Sequence, residues 1–342
     1  MQFILRACTR KIQIAIWITV VVLIVGALTA CTKADEKSVG PPEKVTIAYS
    51  ATLDSALAQI AQTQGYYLQE GLDAIPQKHP YGKVALDAML KGKADFATVA
   101  ETPVLLAIMN GEKISIIATI LTSNRNNAII ARKDKGILAP RDLKGRTIAV
   151  TFGTTLDFFM NAFLVSQGIS RKNMTVVNMT RENMAESLER GDVDAISAWS
   201  YDVIQEQKKL GDKGITFYDD DIYTQTFNIV TTQDYVRTNP ENVKKMLRAL
   251  VKAEKFVAQN PAEAQAIVAD FTGLDKAVIG EMWGVENYSV GLDQSLLLAM
   301  EDESEWAIKS GLTPAKKIPN YLIFIYTDGL ESVKPNAVRI LR

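Results

Sequence analysis

Two patterns alternate along most of the chain: short apolar runs bounded by small polar residues, and longer stretches with apolar residues at helical spacing. Thr46-Ile47-Ala48-Tyr49, Thr147-Ile148-Ala149-Val150 and Asp194 to Ala198 are of the first kind and predict strands. Asp54 to Gln69 carries Leu57, Ile60, Ala61 and Tyr67, and Leu156 to Gln167 carries Phe159, Met160, Phe163 and Leu164. Glu182 to Arg190 carries Met184, Ala185 and Leu188. These three spacings predict helices. The C-terminal part is richer in helix signals, with starts at Asn239-Pro240 and Asn260-Pro261. Strand–helix alternation predicts an α/β protein with mainly parallel sheets.

Two segments recur in the same order, about 100 residues apart. Thr46-Ile47-Ala48-Tyr49-Ser50-Ala51-Thr52-Leu53-Asp54 parallels Thr147-Ile148-Ala149-Val150-Thr151-Phe152-Gly153-Thr154-Thr155-Leu156-Asp157. Leu90-Lys91-Gly92-Lys93-Ala94-Asp95 parallels Glu189-Arg190-Gly191-Asp192-Val193-Asp194. Each of the second pair reads as a helix end, a glycine suited to the left-handed region, and a new strand. A repeated βαβαβ unit follows, one per lobe. A body of about 300 residues also exceeds what one core usually serves.

The N-terminus has another character. Arg6, Arg10 and Lys11 precede an apolar run from Ile14 to Ala30, which ends in Leu28-Thr29-Ala30-Cys31. A basic start, an apolar stretch and small residues describe a secretory signal, here residues 1–30. The final four residues resemble the lipobox of bacterial lipoproteins, which makes Cys31 the expected lipidation site. An uncleaved membrane anchor is the alternative. Residues 31–43 are polar with Gly40, Pro41 and Pro42, and predict a tether reaching about 40 Å when extended.

Composition narrows the function. Of 342 residues, 38 are basic and 39 acidic, with two cysteines and one histidine. Losing three basic residues with the signal takes the formal charge from −1 to −4, so no nucleic-acid partner is expected. Cys8 and Cys31 cannot staple the body. His79 alone excludes chemistry that needs paired imidazoles, and neither a metal nor a cofactor is expected. His79 reads as a surface residue, with a cleft role left open. Asp219-Asp220-Asp221 reads as a solvated turn, and Glu301 to Glu305 as an exposed acidic helix face.

Ligands of open parallel sheets sit beyond the carboxyl ends of the strands. That selects the loops at Ser50-Ala51-Thr52, Ala100-Glu101-Thr102-Pro103, Phe152-Gly153-Thr154-Thr155 and Ala198-Trp199-Ser200-Tyr201, two from each lobe. In the third, Thr154 and Asp157 have capping-box spacing, and the N–H groups of a helix start can receive an anion. An ordinary helix cap is the competing reading. Trp199 can form a pocket wall or cover the core. Thr102 is stiffened by Pro103, and Glu101 can bind a cationic group or stand in solvent.

The body resembles the periplasmic binding proteins of ABC importers for nitrate, taurine and aliphatic sulfonates. The resemblance rests on Gly65-Tyr66-Tyr67-Leu68-Gln69-Glu70-Gly71-Leu72, Gly92-Lys93-Ala94-Asp95-Phe96, Glu101-Thr102-Pro103, Asp142 to Val150 and Gly191-Asp192-Val193-Asp194-Ala195. It implies a two-lobed periplasmic binding protein type II fold with two interlobe crossings, near Asn126 to Ala131 and near Phe227 to Val230. Lobe one is expected at 44–125 plus 232–342, and lobe two at 126–231 including the crossover strands. It further implies that Ser50, Thr52, Thr102, Gly153, Thr154, Thr155 and Trp199 line the ligand, to which the loop position of Glu101 adds a candidate. Tyr201 departs from the family, which usually has proline there.

The implied protein is an exported lipoprotein, a monomer at the periplasmic or outer face of a bacterial membrane. It would capture a small, expectedly anionic solute and deliver it to an ABC permease, without catalysis. A ligand-sensing partner of a membrane receptor is one alternative. Pyrimidine synthases of thiamin biosynthesis resemble the chain too, but they are described as using a dedicated histidine and a Cys-rich stretch.

Overall fold

The computed structural model describes residues 41–341. The signal at 1–30, Cys31 and nearly all of the tether lie outside the described residues. The folded body begins with a strand at Glu43, one residue before the expected start.

Ten strands build two five-stranded sheets: β1 (Glu43–Ser50), β2 (Leu72–His79), β3 (Phe96–Ala100), β4 (Ile114–Ser123), β5 (Asn127–Arg132), β6 (Thr147–Val150), β7 (Thr175–Asn178), β8 (Ala195–Trp199), β9 (Gly214–Phe217) and β10 (Gln225–Thr232). The first sheet runs β2-β1-β3-β10-β4 and the second β7-β6-β8-β5-β9. The two orders are the same. In each, the antiparallel fourth strand is the one that has just arrived from the other sheet. Every residue of β3 is buried, as expected of a central strand covered on both faces.

The repeat is visible in detail. The carboxylates of Asp95 and Asp194 accept from the amides of Thr46 and Thr147, at 2.7 and 2.9 Å. The amides of Asp95 and Asp194 return bonds to the carbonyls of the same threonines, at 2.8 and 2.9 Å. Each aspartate thus clamps the start of its lobe's first strand. Gly92 and Gly191, the glycines preceding these aspartates, have φ of 69° and 79°, the left-handed values the sequence requires of them.

Helices cover both sheets, and each lobe has its own apolar core. Pro240–Gln259 buries Val243, Met246, Leu247, Leu250 and Ala253 against helices Ala56–Thr63 and Thr327–Val333. Two expectations change. The stretch from Asp54 to Gln69 is not one helix, because Gly65 at φ 68° breaks it. The helix Gln294–Lys309 is not a wholly exposed acidic face, because Glu303 is fully buried.

The crossings also shift. The first occupies 124–126, between β4 and β5. The second occupies 218–224, because Phe227 to Val230 is an interior strand of the first sheet. Residues 225–231 therefore stand with the first sheet, although the sequence suggested the second lobe. Buried apolar side chains at Phe227, Ile229 and Val230 fix that segment in a core, and the polar residues before it make the connection. The two crossings are bonded to each other: Arg125 pairs with Asp220 at 3.0 Å, and Asn124 donates to the Asp220 carbonyl at 3.1 Å. No helix of the described residues is long and apolar enough to cross a membrane.

Candidate functional site

A cavity of about 20 Å³ lies where the carboxyl ends of β1, β3 and β8 meet the start of β10. Ser50, Thr52, Asp54, Tyr81, Gly82, Lys83, Ala100, Pro103, Gln225 and Phe227 line it from the first lobe, and Thr154, Thr155 and Trp199 from the second. That volume holds about one water. A larger solute can enter only if the lobes part.

The second-lobe wall is built around Trp199. It ends β8, and its Nε1 donates to Thr155 Oγ1 at 3.1 Å. Across the cleft its ring meets Tyr81, with centroids 5.8 Å apart, and the Arg181 guanidinium lies 5.9 Å from the ring. Arg181 itself is held by Asp202 through two bonds of 2.8 and 2.7 Å. The capping box does not form. Thr154 Oγ1 donates to the Thr151 carbonyl at 2.7 Å, and Asp157 accepts instead from the Gly153 amide at 3.2 Å. The other Asp157 oxygen pairs with Arg171 at 2.7 Å.

The first-lobe wall centres on Ser50, Thr52 and Asp54. The Ser50 and Thr52 hydroxyls are 2.9 Å apart, and Thr52 Oγ1 donates to Asp54 Oδ2 at 3.0 Å. Asn126 in the first crossing donates to Asp54 Oδ1 at 2.6 Å. Burial raises the Asp54 carboxyl to about 6, against the pull of these two donors and of the Arg181 charge. Behind it, burial and the Asp54 charge raise Glu286 to about 8, so Glu286 is mostly protonated at neutral pH.

Ser50, Thr52, Thr154, Thr155 and Trp199 come together as cavity walls; Glu101, Thr102 and Gly153 do not. Glu101 is fully buried with its carboxylate turned back into the lobe, where it accepts from Tyr223 Oη, from the Thr226 amide at 2.8 Å and from Thr226 Oγ1 at 2.9 Å. It is neither a solvated loop residue nor a cavity wall. Thr102 is on the side of its helix that faces Glu303 and is also buried. Gly153, at φ 69°, lines a separate groove with Leu106 and Pro103. His79 and Tyr201 are likewise not cavity walls; the Tyr201 hydroxyl accepts from the Asp275 amide at 2.8 Å.

Asp54, Tyr81, Lys83, Gln225 and Phe227 escaped the sequence reading. Tyr81 follows β2, which Pro76, Gln77 and Lys78 disguise as a loop; proline is tolerated there because β2 is an edge strand. Gln225 and Phe227 enter the cleft from the start of an antiparallel strand, which the carboxyl-end rule does not cover. Among the described residues no cluster of three or more metal-ligating side chains occurs.

The two sheets, their shared topology and the cleft define a two-lobed periplasmic-binding-protein fold. The crystal structure of the periplasmic aliphatic sulphonate binding protein SsuA from Escherichia coli has this fold, with TM-score 0.73, 16% identity and coverage of 84% of this chain and 92% of that one. The family model described as NMT1/THI5 like matches residues 53–264, and the chain belongs to that family. A putative binding protein of Brucella abortus is 27% identical over 229 residues, covering 65% of this chain and 69% of its own. A putative aliphatic sulfonates-binding protein of Bacillus subtilis is 25% identical over 274 residues, covering 79% and 81%.

Proposed function

We propose that the chain is an extracytoplasmic solute-binding protein, which traps a small solute between its lobes and presents it to an ABC permease. The observation that carries this reading is the composition of the cavity. Ser50, Thr52, Asp54, Tyr81 and Gln225 come from one lobe, and Thr154, Thr155 and Trp199 from the other. A solute held by both walls binds the closed form better than the open one, and so shifts the population toward closure. Two short crossings allow such a motion without unfolding either core.

Ser50, Thr52, Thr154, Thr155 and Trp199 are assigned to the solute, together with Asp54, Tyr81 and Gln225. Hydroxyls, an indole and the N–H groups at the start of helix Thr155–Ser166 suffice to grip a polar solute without moving protons. The reading is therefore capture and not conversion, in keeping with relatives that carry binding-protein names. Export, lipidation at Cys31 and a monomeric state complete it. Mass spectrometry of small molecules released from the purified, denatured protein tests the reading: one stoichiometric solute is expected. A panel of small polar solutes that neither copurifies nor stabilises the protein overturns it.

A further inference from the structure

We propose that the solute carries a cationic N–H donor, in the simplest case a protonated amine, received by Asp54, and an acceptor group received by Gln225. This rests on the capture reading and names the solute class. Asp54 is a cavity wall and only 6% exposed. A carboxylate has about four acceptor positions, of which Thr52 and Asn126 use two and its own backbone amide a third. Among the described residues no cation lies within ion-pair distance of it. Arg181 is committed to Asp202 at 2.7 Å, and Lys83 to Asp87 at 3.1 Å.

A buried carboxylate without a cation is costly, and a charged partner offsets that cost. The surroundings of Asp54 strengthen the demand. Burial and the Asp54 charge raise Glu286, no cation pairs with it among the described residues, and the Tyr288 hydroxyl is unpartnered. An inorganic oxyanion or a plain alkanesulfonate would meet the Asp54 charge at close range. The second observation is independent. Gln225 is 1% exposed, its Oε1 accepts from Asn127 at 3.1 Å, and its Nε2 has no partner. Gln225 is a wall of the same cavity, and its Nε2 is a buried donor left without an acceptor.

The test uses matched probes that differ only by an amine: 2-aminoethanesulfonate against ethanesulfonate, and 4-aminobutyrate against butyrate, with nitrate added. Thermal stabilisation of the full chain is measured at pH 7.5. At least one amine-bearing probe is expected to bind about tenfold or more tightly than its amine-free counterpart, and Asp54→Asn is expected to erase the preference. The wild-type comparison is decisive even if the variant misfolds. Equal or tighter binding of an amine-free probe or nitrate overturns the inference and leaves capture standing. Stabilisation by no amine-bearing probe also overturns it, while a different copurifying solute would still support capture.

Discussion

Asn126 donates to the Asp54 carboxylate at 2.6 Å, and through this bond the cavity is joined to the first crossing. The Asn126 carbonyl in turn accepts from the Ser200 amide at 2.9 Å, at the start of the helix that follows Trp199. One residue between the lobes therefore touches both walls. Asn126→Ala removes a donor from a buried charge and is expected to destabilise the protein by about 1–3 kcal/mol. Urea denaturation at pH 7.5 measures this, and an unchanged midpoint would show that the bond contributes nothing.

Stability should fall as pH rises. The Asp54 carboxyl moves from 3.8 to about 6 on folding, and Glu286 from 4.5 to about 8. The folded state therefore binds more protons than the unfolded state between the two values. The stability linked to these protons is full below the unfolded values and is lost as pH rises through the folded ones. The loss reaches the order of a few kcal/mol by pH 8 for Glu286. Denaturation midpoints of the solute-free protein should decline from pH 5 to pH 8, and Glu286→Gln should flatten the decline.

Solute binding should have the opposite pH dependence. If Asp54 receives an amine, affinity falls as pH drops below about 6 and the carboxyl is protonated. Glu286, Arg181 and Tyr288 face the same group. Glu286 is mostly neutral below 8 and Arg181 stays charged, so neither cancels the trend. Calorimetric titration of the best-binding probe at pH 5 and pH 7.5 gives the comparison, and equal affinities would remove Asp54 from the site.

Much of this fold is legible in the sequence because its local signals agree with its long-range contacts. The Gly-x-x-Asp repeat predicts two equivalent units, and Asp95 and Asp194 make equivalent clamps. The cavity was only partly legible. Loop position singled out Ser50, Thr52, Thr154, Thr155 and Trp199, which line the cavity. It also singled out Glu101, whose carboxylate turns inward because Tyr223 and Thr226, more than 120 residues later, supply its donors. Distant partners of that kind leave no trace in a local pattern. The strand exchange hid Gln225 for the same reason.

Gly82 marks a close approach that the sequence did not flag. A Cβ there would lie 2.9 Å from Val99 Cα and 3.3 Å from Phe227 Cζ. The backbone of β3 cannot move aside cheaply, so Gly82→Ala should cost about 1–3 kcal/mol and displace Phe227, a wall of the cavity. A lower melting temperature together with weaker probe binding is expected; loss of neither would mean that the helix shifts freely.

Thr155→Val tests the indole anchor. The substitution keeps the shape but leaves Trp199 Nε1 without its 3.1 Å partner. A stability loss of about 1 kcal/mol is expected, with a larger proportional loss of probe affinity because the wall is no longer fixed. Equal affinity in calorimetry would assign Thr155 to packing alone.

Closure on a solute is the central claim, and small-angle X-ray scattering tests it most directly. The radius of gyration is measured for the protein stripped of solute, and again with the saturating probe or copurifying solute that stabilises it. The account predicts a smaller radius with solute bound, from lobes that part when empty and close on the solute when filled. Identical scattering curves at proven saturation would contradict it.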